Sequence, residues 1–189
     1  MYWLECLEKI LNNQSVGAFI GAVAAFVLVI LNDWRRDLRK VRNIKGEIEM
    51  NLGLAKSKLQ TVRRNRDAMR EHNQVIPAPI LKFNTTLIRD LAAFVLDLLK
   101  PDQRRAIEGI CYNLEATDNL LEDAYGISKK FGKPLVHAEQ IRMAEHLLNE
   151  YQDAVINLKR TIEMCELYLE KKYSTIVTKQ YDRNNYIEE

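Results

Sequence analysis

The sequence predicts an all-α protein: one amino-terminal membrane-spanning helix followed by an antiparallel helical bundle. Three observations carry this. Sixteen consecutive apolar residues, Val16 to Leu31, lie near the start. Leu, Ala, Glu, Lys and Arg dominate the remainder, with only 7 glycines and 4 prolines in the chain, a composition of helix rather than sheet. After Trp34 the apolar positions recur at spacings of three and four, the period of an amphipathic helix. With 189 residues, 47% of them hydrophobic, the chain holds one ordinary domain with a real core plus an appendage.

The first segment, 1–14, carries Tyr2, Trp3, Leu4, Leu7, Ile10 and Leu11 and reads as a short outer or interfacial stretch, either an amphipathic helix on the bilayer surface or simple lead-in chain. Residues 15–33 form the span. Sixteen apolar residues make roughly 24 Å of helix against a hydrocarbon core of about 30 Å, and Ser15 and Asn32 can sit at its boundaries. The run is apolar on every face and has Tyr2, Trp3 and Trp34 where an aromatic belt falls. A cleaved signal sequence fits poorly, because the apolar run continues past the Ala22-Val23-Ala24 site and Glu5 and Glu8 precede it.

The net charge of +2 conceals an asymmetry: residues 33–72 carry twelve Lys/Arg against six Asp/Glu, and residues 73–189 fifteen against eighteen. Arg35, Arg36, Arg39, Lys40, Arg42 and Lys45 all follow the span closely, which orients the bundle to the cytoplasm and the amino terminus outside, in an inner membrane. Anionic lipid accounts for this cluster, with Arg35, Arg36, Arg39 and Lys40 as headgroup contacts. Within the span, Gly17, Gly21 and Ala25 follow the small-xxx-small pattern that allows close helix approach. No second span exists in the sequence to meet that face, so its partner is another chain.

The bundle occupies residues 34–172. Leu38, Val41, Ile48, Leu52, Ala55, Leu59, Val62 and Met69 give one helix of roughly 60 Å to about His72, its stripe broken at Lys45 and Arg66. Pro77 and Pro79 end it. Asn84, Thr85 and Thr86 supply capping side chains for a second helix to about Leu99, which apolar residues nearly encircle and which is expected to be the most buried of the soluble helices. Pro101 suits the first position of the third, whose stripe is Ile107, Ile110, Leu114, Leu121 and Ala124, with Gly132 and Pro134 as its stop. The last long helix, about Leu135 to Lys172, has the stripe Ile141, Ala144, Leu148, Tyr151, Val155, Leu158, Ile162, Cys165 and Leu169. Residues 173–189 read as a polar, aromatic tail.

Candidate chemistry is sparse. His72, His137 and His146 are scattered and form neither HExxH nor the Glu-x-x-His pairs of di-iron bundles, so no metal or other cofactor is expected. Cys6, Cys111 and Cys165 are odd in number and form no CxxC, which points to inert thiols in a reducing compartment. Asp118, Glu122 and Asp123 read as a solvated acidic face. The richest polar stretch runs from Arg63 to His72, where Arg63 and Arg64 could contact phosphate, whether of lipid or of an RNA backbone.

Arg66 and His72, with five residues between them and the polar Asp67 after the arginine, resemble the Arg-x(4 to 6)-His motif of HEPN domains, helical bundles in which that pair cleaves RNA. The resemblance implies proton transfer by His72 and phosphate contact by Arg66. Arg142 and His146, with three residues between, fit the spacing less well. The whole layout resembles the small membrane accessory proteins of type VI-B CRISPR systems, which assist an RNA-guided nuclease in antiviral defence. That resemblance implies a HEPN-like bundle, a homo-oligomeric membrane pore and RNA or an RNA-guided nuclease as partner. The chain departs from the pattern in placing Arg66 and His72 on a helix that leads directly from the membrane.

Three functions are therefore open: a homo-oligomeric protein forming or gating a pore, a tethered HEPN-type ribonuclease, and a tethered adaptor with neither activity. No polar residue lies between Val16 and Leu31, so a pore here would be lined by Gly and Ala and gate by wetting, with Asn12, Asn13 and Gln14 at its outer mouth.

Overall fold

No proline falls between residues 14 and 72, and the apolar run passes into the amphipathic stripe without a helix-stopping signal. The two therefore form one helix. In the computed structural model, which describes residues 14–72, 74–76, 81–131, 137–179 and 181–187, α1 (Gln14–His72) is a single rod of 59 residues, about 88 Å long at 1.5 Å per residue. Its first part holds an 18-residue window of mean hydropathy 2.1 of which none is buried within the chain. That is long and apolar enough to cross a membrane. Residues 1–13, including Tyr2, Trp3, Cys6 and the proposed outer mouth at Asn12 and Asn13, lie outside the described residues.

Then follow α2 (Thr85–Phe94), a 3-10 turn (Leu96–Leu98), α3 (Pro101–Lys130), α4 (His137–Leu169), the short α5 (Tyr173–Thr178) and a 3-10 turn (Arg183–Tyr186). Among the described residues there is no strand. The directions of the helices can be read from side-chain partners. Lys56 pairs with Glu166 at 2.7 Å and Arg66 bonds to Gln152 at 3.2 Å, so α1 and α4 are antiparallel. Asn84 lies by Glu47 and Asn51, and Phe94 by Lys40, so α2 runs back along α1 toward its apolar end. Lys58 meets Asp118, while Leu38, Val41 and Arg42 share a cleft with Gln103, so α3 is parallel to α1. The result is an up-down-up-down four-helix bundle in which α1 is both spine and stalk.

The core is the expected stripes, with one filled gap: Ile44, fully buried, covers the break at Lys45. Ile107, Ile110, Leu114, Leu121 and Ala124 of α3 meet Tyr151, Val155, Leu158 and Cys165 of α4, all buried. Pro101 takes the first turn of α3 as expected, with Lys100 before it extended. Leu38 of the α1 stripe and Ile141 of the α4 stripe are instead exposed.

Three expectations need correction. First, α2 is not the most buried helix: it buries only Thr85 and Ile88, while Phe94 is 73% exposed and Leu96 and Leu98 beyond it are also bare. A helix of 10 residues, about 15 Å long, packs on α1 and α3 from one side. Apolar residues on all its faces cannot all be covered. Second, its capping residues bond elsewhere: Asn84 donates to Glu47 at 3.3 Å and Thr85 to Glu115 at 2.9 Å. Third, Asp118 is not solvated. It is buried, accepts from the Lys58 ammonium at 2.6 Å and from the Phe83 amide at 2.8 Å, and lies beside a contact in which Lys58 stands 3.8 Å from the Phe83 ring centroid. Glu122 pairs with Lys82 at 2.5 Å at the surface, and Asp123 is exposed as expected.

The carboxyl-terminal segment is polar and aromatic as expected, but it is packed. Ile176 and Tyr186 are buried, Lys159 donates to the Tyr186 carbonyl at 3.2 Å, Arg160 to that of Tyr181 at 2.9 Å, and Arg183 pairs with Asp153. Removing one partner of the buried Lys58–Asp118 pair leaves the other charge alone. Asp118→Ala should therefore lower bundle stability by about 3 kcal/mol. Lys58→Met with Asp118→Leu should recover most of that loss, short of what the orphaned Phe83 amide retains, as read from denaturant unfolding of the detergent-extracted protein.

Candidate functional site

The arginine-rich end of α1 is where the sequence places its chemistry. Six positions along a helix turn the direction by about 600°, so Arg66 and His72 leave α1 on faces about 120° apart and about 9 Å apart along the axis. Arg66 points inward. Its side chain is 7% exposed, with Nε donating to Asp67 at 3.0 Å and a terminal nitrogen donating to Gln152 of α4 at 3.2 Å. His72 is exposed, its Nε2 3.8 Å from a Glu71 carboxylate oxygen. Arg63 is half-buried, Arg64 is exposed, and the alternative pair Arg142 and His146 is exposed, with His146 3.3 Å from Glu150.

What the inward face of α1 does carry is a ladder of buried polar residues spaced by seven: Asn51, Lys58 and Asn65. Each holds part of the connection that follows α1. Asn51 accepts from the Asn84 amide at 3.2 Å, Lys58 meets Asp118 and the Phe83 ring, and Asn65 donates to the Ile76 carbonyl at 3.2 Å, to which Tyr151 also donates at 3.4 Å. Burial lowers the Lys58 ammonium below its ordinary value, opposed by its bond to Asp118. Burial raises the Tyr151 phenol, with a bond to Asn65 opposing it. A cleft of about 160 Å³ opens beside Lys58, lined by Leu54, Val62, Leu81 and Leu121 among others. The sequence signal for the ladder was the heptad spacing of polar residues inside an apolar seam, which a search for catalytic pairs passes over. Asn65 and Arg66, adjacent and both buried, complete that inward polar end.

The remaining candidates are structural in form. Cys111 and Cys165 are buried free thiols, pushed by desolvation up to about 11 and about 12, and such thiols are protonated and unreactive at neutral pH. Among the described residues no three His, Cys, Asp or Glu side chains gather into a metal-binding group. Toward the apolar end, Arg35, Arg36 and Arg39 are exposed and Lys40 is half-buried against Asp37 at 3.0 Å. Gly17, Gly21 and Ala25 are all exposed, and a Cβ added at Gly21 would meet nothing within 4 Å, so the small face is open along the rod.

Arg66 acts here as a bundle residue, which separates it from His72 in experiment. Arg66→Ala should cost about 1.5–3 kcal/mol, the worth of hydrogen bonds from a charged group. His72→Ala should stay within about 0.5 kcal/mol of the parent in the same denaturant titration, as exposed substitutions do. Compared with protein-family models, with curated proteins and with solved structures, the chain matches none.

Proposed function

We propose that the chain is a homo-oligomeric, single-pass membrane protein that forms or gates a pore, with its bundle in the cytoplasm and its amino terminus outside, acting in CRISPR-linked bacterial antiviral defence. The observation that carries the oligomeric membrane part is the unbroken α1: a helix none of whose apolar window is buried within the chain continues without a joint into the spine of the bundle. In this reading the Gly17, Gly21 and Ala25 face meets copies of itself, and bundles assembled side by side transmit any rearrangement to the spans as rigid rods. The basic flank from Arg35 to Lys45 supports the orientation. The link to defence, and RNA or an RNA-guided nuclease as partner, rests on the likeness of the layout to type VI-B accessory proteins.

Inward-facing Arg66 weighs against the ribonuclease alternative, because its guanidinium is committed to Asp67 and Gln152 rather than open to a phosphate. Because the Gly21 face is open within one chain, the pair Gly17→Leu/Gly21→Leu should leave the bundle folded and change only what the span packs against. Light scattering of the detergent-extracted protein is expected to give a defined ring-sized oligomer for the parent and its loss in the variant, together with loss of membrane-potential effects in cells. A monomer in both would overturn the proposal.

A further inference from the structure

The outward face of α2 and the turn after it present an apolar cap: Phe94 is 73% exposed, Leu96 47% and Leu98 45%. Three large apolar side chains exposed within five residues at one end of a bundle point to a place where something docks, and their position says what. The Phe94 ring stands 5.0 Å from the Lys40 ammonium, which is drawn back to Asp37 at 3.0 Å, one turn nearer the apolar segment. Lys40 itself is only about 9 Å along α1 from Trp34, and Trp34 and Leu38 are exposed too. Lys40 is about 14 Å along α1 beyond Leu31, where the apolar run ends, so the cap faces the headgroup layer, about 5–8 Å deep on each side, of any bilayer that α1 spans, and the common helix tilt of about 20° lowers one side of the bundle toward it.

The charges around the cap fit the same occupant. Arg35, Arg39, Lys100 and Arg105 are exposed at this end, while Asp33 is 3.4 Å from Arg36 and Asp37 is taken by Lys40. Asp97, between the two leucines, and Asp90, one turn before Phe94 on α2, are the exposed acids on this segment that work against lipid. We infer that Phe94, Leu96 and Leu98 insert into the headgroup–acyl boundary of the anionic bilayer that α1 crosses, giving the bundle a second foothold beside the span and fixing the tilt of α1. This rests on the reading of α1 as a membrane span. It accounts for an apolar helix left uncovered by its own bundle, since interfacial segments pair an apolar face with surrounding cations.

The test places a nitroxide at Phe94→Cys, Met50→Cys or Phe19→Cys in the full chain carrying Cys6→Ser; Cys111 and Cys165 are buried and escape labelling. The protein is reconstituted in vesicles containing phosphatidylglycerol, and collision with oxygen is compared with collision with a water-soluble nickel chelate. All three sites are more than half exposed in the chain. The expected result is an oxygen-to-nickel ratio at 94 several-fold above that at 50 and approaching that at 19. A ratio at 94 equal to that at 50, with 19 lipid-like, overturns the inference and leaves the span intact. A label at 94 shielded from both reagents means a protein covers it, which also overturns the inference. A water-like label at 19 removes the span and the inference together.

Discussion

The buried contact between Lys58 and Asp118 sets the register of everything built on α1. Taken alone such a pair adds little stability, because desolvating both charges consumes most of their attraction. Its effect lies in what it excludes. Sliding α3 by a turn along α1 would leave an ammonium and a carboxylate buried and separate, at about 3–5 kcal/mol. Asp118 also holds the Phe83 amide at 2.8 Å, so the same carboxylate fixes where the chain enters α2. Asn51 below and Asn65 above secure Asn84 and Ile76 in the same manner. Three polar side chains seven residues apart thus fasten both described ends of the α1–α2 connection to the rod, and α2 is aimed back toward the apolar end.

Much of the fold was legible because it depends on periodicity. The long apolar helix, the stripes of α1, α3 and α4 apart from Leu38 and Ile141, and the restart at Pro101 all follow from local patterns that a single helix must satisfy. The errors fall where a helix's surroundings decide. The apolar residues around α2 signalled burial, yet its short length and one-sided packing leave Phe94, Leu96 and Leu98 bare. Asp118 sits in an acidic stretch that reads as surface, and only the approach of Lys58 from another helix makes burial tolerable. The stripe break at Arg66 was visible, but not that a polar partner, Gln152, waits inside. For the candidate site, spacing along the chain put Arg66 and His72 within two turns of each other, while helix geometry turns them to different faces.

Continuity of α1 joins these observations to function. A flexible joint after Leu31 would let span and bundle reorient independently. A rod of 59 residues fixes the direction of the apolar segment relative to the bundle. Stiffness also gives the small face of Gly17, Gly21 and Ala25 a fixed azimuth relative to the bundle.

That coupling stands or falls on the helix staying intact between its apolar segment and the bundle. The most direct measurement is the distance between nitroxides at Asn32→Cys and Gln60→Cys, both exposed positions on α1, in vesicle-reconstituted protein diluted with unlabelled chains. An unbroken helix predicts one narrow distribution near about 42 Å, 1.5 Å for each residue step from 32 to 60. A broad distribution centred well below that value would mean a hinge between span and bundle, and would contradict the account.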